Sequence, residues 1–526
     1  MNFLTIKNFF IILFSFFVLS FFFNRGFAYY DEGFILHAAQ RVIQGELPYR
    51  DFDLIYTPGT VFLTAAAFKI FGESILAGRV LALLVSLLTG YLVFKICYRT
   101  TKNNFVSFLA LLIYLVWGPT HINFPWPSMF ALTAGLATLL AWPNFLVVGL
   151  MTLITLILKQ NFGIAVFLTV IIQMSLMGQI GKIRQFRNFS KFIFGFSVGT
   201  LVFLIYLLST GSLEGFLNNF YFYTVKRFLL EGVASTSFPT GLKGIFYLLP
   251  VTISVAAIFL LRKKPKMLIF PLFTLLFYLF GIRPTSDYPH LSVLMAITGI
   301  PLALILGNSK QILDALQKSS LTRMTRFAKA PARRTSFRHF DQTQYLEPVE
   351  RLVQNLFNTL VYGSILVIII LGFYTGLFKN YYRWDSPLYK QNSFSDQTKA
   401  KIFVDQKFNR VIPEVVGEIK KNSTKNDYIF IFPNAPMFYF LTDRKNPTRY
   451  INLPLGLHSP GQEREVVDNL KKKRIRLILT NEPPENSNYH IVSEYILKNY
   501  LKKKEFFEFT LWEKFENEKR SEVLSI

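Results

Sequence analysis

The 526-residue sequence predicts an α-helical polytopic membrane protein with about eleven transmembrane helices and a small extracytoplasmic α/β domain near its C-terminal end. Three observations predict it. Long stretches carry no charge, among them IILFSFFVLSFFF at 11–23, LVFLIYLLS at 201–209 and ILVIIILGFYTGLF at 365–378. In lipid every backbone polar group must find its partner inside the chain, so such runs read as spanning helices. Basic residues gather in short connections between these runs, as the positive-inside pattern requires. From about residue 411 the apolar runs give way to alternating helical and strand patterns.

The composition fits this class. Charged residues make up 17% of the chain and hydrophobic ones 52%, where soluble domains carry roughly a quarter charged residues. Mean hydropathy is +0.34. A net charge of +25 raises the question of nucleic acid, but the placement of the charge answers it. The basic segments set topology and meet anionic lipid headgroups, so membrane lipids are the expected partners and nucleic acid is not. Cys97 is the only cysteine, which excludes an internal disulfide and a cysteine-rich metal site.

Eleven spans are predicted, at roughly 8–28, 73–97, 105–118, 128–142, 144–158, 161–179, 192–209, 243–261, 267–282, 290–307 and 355–378. The first reads as an uncleaved signal anchor, since Gly26-Phe27-Ala28 is a poor cleavage site. With the N-terminus inside, the inner connections hold Lys95, Arg99 and Lys102; Lys182, Arg184, Arg187 and Lys191; Arg262, Lys263, Lys264 and Lys266; and the loop 308–352, with RMTRFAKAPARRTSFRH at 323–339. Parity rests on two choices. The segment 55–72, with Pro58 and Lys69, is a juxtamembrane helix, and 128–158 is a hairpin broken at Pro143-Asn144. The outer regions are then 29–72, 119–127, 159–160, 210–242 and 283–289, together with everything after 379. In that last region YIFIF at 428–432 and RLILT at 476–480 read as buried, largely parallel strands. No glycine-rich nucleotide loop accompanies them.

The first outer region carries the chemistry. Asp31-Glu32 follows the first span, before a short helix at 34–44, a Gly45 stop and Pro48-Tyr49-Arg50-Asp51-Phe52-Asp53. An acid held where membrane meets water is only partly hydrated, which suits it to proton abstraction. Locally the pair reads equally well as a polar flank that ends a helix.

The ordered set Asp31-Glu32, Gly45, Pro48-Tyr49, Asp51, Pro58, Phe71-Gly72-Glu73-Ser74 and Arg79 resembles the opening of the GT-C superfamily of glycosyltransferases. Within it, the set looks like the family 39-type branch of protein O-mannosyltransferases, aminoarabinose transferases and RgtA/B/C/D-like bacterial enzymes. Lys159-Gln160-Asn161-Phe162-Gly163 and Arg283-Pro284-Thr285-Ser286-Asp287-Tyr288-Pro289-His290 extend the resemblance, which covers roughly 1–310.

The resemblance implies sugar transfer, usually with inversion, from a polyprenyl- or dolichyl-phosphate donor to a lipid, cell-envelope glycan or protein acceptor on the extracytoplasmic face. The Phe/Lys-rich, Cys-poor composition favours a bacterial plasma membrane and so a polyprenyl carrier. By analogy Asp31 is the base, with Glu32 orienting it or the acceptor. Lys159, Arg283 and His290 are candidates for the donor phosphate, with Lys226 and Arg227 behind them. For Lys159, snorkelling to the interface is an equal alternative, as an ordinary capping role is for His290. Asp51, Asp53 and Arg79 complete the candidate site. The loop Pro119–Pro127 lacks the acid that many members of the family carry there, and Asp51 or Asp53 could substitute. Some relatives use a divalent ion; no ligand cluster is evident here, and no metal is expected to be essential. A flippase or transporter of lipid-linked glycans would show paired inverted halves, and none is evident. An O-antigen ligase would centre on a large outer loop rich in Arg and His, whereas 210–242 has no His. A non-catalytic scaffold presenting the C-terminal domain could keep the same layout.

Overall fold

The computed structural model describes residues 3–178, 183–222, 225–226, 238–282, 287–313, 343–379 and 386–515. A helix lies over each predicted segment. Among the described residues five helices are long and apolar enough to cross a membrane: Ile75–Thr101, Phe186–Ser209, Lys243–Leu260, Tyr288–Gly307 and Arg351–Phe378. Shorter apolar helices pack among them, including Asn104–Trp117, Pro127–Ala141, Phe145–Leu158 and Gln160–Leu176. The hairpin at 128–158 forms as expected, with the Asn144 side chain capping the second helix by accepting from the Val147 N–H at 3.5 Å. The segment 55–72 folds as the short helix Gly59–Phe71.

The first helix, Phe3–Ser20, ends well before residue 28. The following carbonyls find partners outside any helix. The Asn123 amide donates to the carbonyls of Phe22 at 2.8 Å, Phe23 at 3.1 Å and Arg25 at 2.8 Å. Backbone bonds then tie this stretch to the C-terminal domain, Gly26 N–H to Phe403 O and Phe403 N–H to Asn24 O, each at 2.9 Å. The next helix starts at Asp31 rather than 34, as Asp31–Ile43. Both acids therefore sit in its first turn, where negative side chains complement the unpaired N–H groups of the helix end.

The C-terminal domain corrects the parallel-sheet expectation. The four strands of its larger sheet lie in the order Phe430–Phe432, Leu477–Thr480, Phe509–Lys514, Tyr500–Phe506, beside a separate antiparallel pair, Ser393–Ser395 with Ile402–Val404. In the larger sheet only the first neighbouring pair is parallel; the other two are antiparallel. The cause is the two-residue turn Phe507-Glu508, with Phe507 at φ +60°, which folds the last two strands into a hairpin and so makes them antiparallel. The edge strand Tyr500–Phe506 is exposed over 501–505, and its Lys502, Lys503 and Lys504 protect it against pairing with another chain. Helices Gln406–Lys421, Pro460–Lys472 and His490–Asn499 belong to the same domain.

One hydrophobic core joins this domain to the segment after the first helix. Phe27, Leu36, Phe52, Phe68 and Ile75 are buried together with Ile412, Met437, Phe438, Phe440 and Phe509. The helix Asp31–Ile43 approaches the helix Met437–Thr442 so closely that a Cβ on Gly33 would lie 2.4 Å from the Met437 nitrogen. A glycine is required there for contact rather than for its dihedral freedom.

Candidate active site

Asp31 is half-buried at the start of its helix and Glu32 beside it is fully buried. Glu32 is held by Arg79, from the second turn of the helix Ile75–Thr101. The guanidinium donates to both carboxylate oxygens, at 2.8 and 2.7 Å, and to the carbonyls of Arg25 and Gly26, each at 2.9 Å. Such a two-pronged pair fixes direction as well as distance. Arg79 thus cross-links the end of the first helical segment, the Asp31–Ile43 helix and the next long helix, and it sets the helix turn on which Asp31 stands.

Lys159 lies in the tight joint between the helices Phe145–Leu158 and Gln160–Leu176, where a Cβ on Gly163 would fall 2.2 Å from the Leu156 Cα. The residue is only 3% exposed. Its ammonium donates to Ser128 Oγ at 2.7 Å and lies 5.0 Å from the ring centres of both Tyr56 and Phe162. The carboxylates of Asp287 and Asp31 are near enough to act on its charge. A buried ammonium is costly without such company, so Lys159 is embedded in a built environment rather than snorkelling.

Ser128 leads onward to the late loop. Trp126 Nε1–H donates to Ser128 Oγ at 2.8 Å, and the Trp126 indole meets the His290 ring edge-on at 5.7 Å. The His290 Nδ1 lies 2.6 Å from Asp287 Oδ1, and the same oxygen caps the following helix by accepting the His290 N–H at 3.1 Å. A second polar cluster adjoins it: Tyr288 Oη lies 2.7 Å from His121 Nε2, which is 3.3 Å from Thr375 Oγ1.

The structure thus brings Asp31, Lys159 and the Asp287–His290 pair into one neighbourhood, with Glu32 and Arg79 as its frame. Asp51 and Asp53 are held elsewhere. Asp51 accepts the Leu47 N–H at 2.7 Å and pairs with Arg50 at 2.8 Å. The hydrogen bond from Arg50 holds its carboxyl below the usual range against the opposing effect of burial, with the Leu47 amide helping. Asp53 is clasped by Arg449 at 2.7 Å and by Asn219 at 3.3 Å, fastening the segment to the C-terminal domain. Arg283, Arg227 and most of the basic loop (314–342) lie outside the described residues. Lys226 stands 5.3 Å from the Phe222 ring. Among the described residues no three His, Cys, Asp or Glu side chains gather as a metal site. Sequence reasoning missed Ser128, Trp126 and the part played by Asp287. Asp287 was within reach, because it stands three residues before His290 where it caps the helix; Ser128 and Trp126 had no local signal.

No family model matches the chain, and no curated protein matches it. Solved structures do. ArnT from Cupriavidus metallidurans bound to undecaprenyl phosphate superposes with a TM-score of 0.53 at 13% identity, over 98% of this chain and 98% of that one. The apo state of the same protein gives 0.54 at 14% identity, over 97% of each. The archaeal oligosaccharyltransferase AglB from Archaeoglobus fulgidus, in complex with an inhibitory peptide and a dolichol-phosphate, gives 0.48 at 10% identity, over 98% of this chain and 75% of that one. The chain shares its fold with ArnT along nearly its whole length.

Proposed function

We propose that this protein transfers a sugar from a polyprenyl-phosphate donor to a hydroxyl group of a lipid, envelope glycan or protein, at the membrane face that carries the C-terminal domain. The observation that carries the proposal is the half-buried Asp31 facing the field of the buried Lys159, on a helix turn locked by the Glu32–Arg79 pair. Asp31 takes the proton of the acceptor hydroxyl as its oxygen bonds to the anomeric carbon. The bond from that carbon to the phosphate oxygen breaks, and the lipid phosphate leaves with the electron pair. Attack opposite the leaving group inverts the anomeric centre. Negative charge grows on the departing phosphate, where a positioned cation in a dry site stabilises it best. Lys159 supplies that cation. His290, fixed by Asp287 and turned toward Trp126, stands along the same edge, and Glu32 and Arg79 act by position. The undecaprenyl phosphate bound in the ArnT structure supports a lipid-phosphate donor.

The test is Asp31→Asn. General-base removal lowers the rate by about 10²–10⁴-fold, so transfer from a polyprenyl-phosphate sugar should fall in that range while the melting temperature in detergent stays at the wild-type value. Transfer at the wild-type rate would remove Asp31 from the mechanism. Profiling lipid-linked sugars with and without the gene would identify the donor, which accumulates when the enzyme is missing.

A further inference from the structure

A second site lies apart from this chemistry, in a cavity of about 640 Å³ between the first and last long helices. Phe17 and Phe21 line one wall, Phe373 and Phe378 the other, and Tyr389 and Arg25 close one end. This volume falls within the roughly 300–1,000 Å³ of small-molecule sites. The lining rings are exposed, Phe17 by 61% and Phe378 by 58%, on helices otherwise apolar enough for lipid. A slot of that kind is filled by hydrocarbon.

Arg25 makes it more than a greasy groove. Its Nε–H donates to the Phe21 carbonyl at 2.9 Å and one Nη–H to the Gln391 carbonyl at 2.5 Å, and its guanidinium lies 5.1 Å from the Phe403 ring. A guanidinium has five N–H donors in a rigid fork. Among the described residues two are spent on backbone that anchors the group, and the remainder suit a phosphate diester. Exposed Lys379 and Lys390 stand beside the same end, near Tyr374 and Tyr389.

We infer that this slot binds one anionic phospholipid of the bilayer, its chains between the Phe17–Phe21 and Phe373–Phe378 walls and its phosphate on Arg25. The donor lipid is a different occupant of a different place, a distinction that rests on the proposed donor site at Lys159. The loop 119–127 lies between the two sites, with Asn123 bonded to the Arg25 segment and Trp126 to the Ser128 that holds Lys159. The slot is nonetheless wired to the base. The Arg25 carbonyl accepts from Arg79, and Arg79 holds Glu32 next to Asp31.

Native mass spectrometry of the purified full-length protein tests this without turnover, so its failure leaves the transfer reaction untouched. With phosphatidylglycerol and phosphatidylcholine offered together, the wild type should retain one phosphatidylglycerol in preference. Arg25→Gln and Arg25→Lys should each weaken that retention by roughly tenfold, equivalent to about 1.4 kcal/mol. Phe373→Trp, which leaves the Arg25 bonds in place and fills the slot, should abolish it while the melting temperature holds. Equal retention of the two lipids, or full retention by Arg25→Gln, overturns the inference. One-for-one displacement of phosphatidylglycerol by undecaprenyl phosphate overturns it as well, because the slot would then serve the donor.

Discussion

Glu32 and Arg79 fix the helix turn on which Asp31 stands, and their burial makes each dependent on the other. Removing one partner leaves an uncompensated charge, which costs about 3–5 kcal/mol, whereas replacing both with apolar residues is often neutral. Arg79→Leu should therefore lower the melting temperature sharply, and Glu32→Leu combined with Arg79→Leu should restore most of it. Transfer should stay low in the double variant, since the carbonyls of Arg25 and Gly26 have also lost their donor; full recovery of transfer would show that the pair only stabilises. His37, two turns further along the same helix, makes a separate prediction. Its ring stacks on Tyr439 at 4.7 Å, and burial, with Arg41 second, pushes the imidazole down to about 3. The unfolded chain binds a proton at this histidine below about 6.5, whereas the folded chain stays neutral there. Stability therefore falls as pH drops from about 6.5 toward 3. His37→Phe keeps the stack and has nothing to titrate, so its melting temperature should decline less across that window. An equal decline in both proteins would place the acid sensitivity elsewhere.

Between elements, the decisive contact is that of the Asp31–Ile43 helix on Met437–Thr442. The Met437 N–H donates to the Tyr29 carbonyl at 3.3 Å, and Gln40 and Lys399 share the carboxylates of Glu73 and Asp443. Gly33→Ala puts a methyl group against the Met437 backbone. Neither helix can yield without moving the other, so the variant should lose about 1–3 kcal/mol, as overpacked sites do, and hydrogen exchange should speed up in 437–442 while 477–480 stays protected. Unchanged exchange in 437–442 would mean that the interface absorbs the methyl group. Much of this arrangement was legible in the chain. The long uncharged runs announced their helices, because lipid leaves the backbone no other choice, and Asp31-Glu32 stood out as charge at the edge of one. What the sequence left hidden depended on distant partners. Residue 123 unwinds residues 22–25, Ser128 reaches Lys159 from another helix, and both contacts cross many intervening residues. The sheet direction was hidden for a local reason: the turn Phe507-Glu508 lacks the Asn or Gly that marks a tight hairpin.

At the scale of the whole molecule, the proposed chemistry requires that the C-terminal domain and Asp31 share one side of the membrane. The packing already joins them, through Phe27, Leu36 and Phe68 against Phe438 and Phe440. The positive-inside rule predicts that this is the extracytoplasmic side, since Lys263 and its neighbours lie in a basic connection of the kind retained in the cytoplasm. Cysteine labelling reads this directly, because the single native thiol, Cys97, is buried and gives little background. Lys425 and Lys263 are both exposed, the first in the C-terminal domain and the second between the helices Gly241–Leu260 and Ile269–Gly281. In intact cells Lys425→Cys should react with a membrane-impermeant maleimide, and Lys263→Cys should react only after permeabilisation. The reverse pattern would turn the shared core, Asp31 and Lys159 toward the cytoplasm. A sugar carried to the far leaflet on a polyprenyl phosphate would then lie a bilayer away from the base proposed to use it, and transfer could not occur as written.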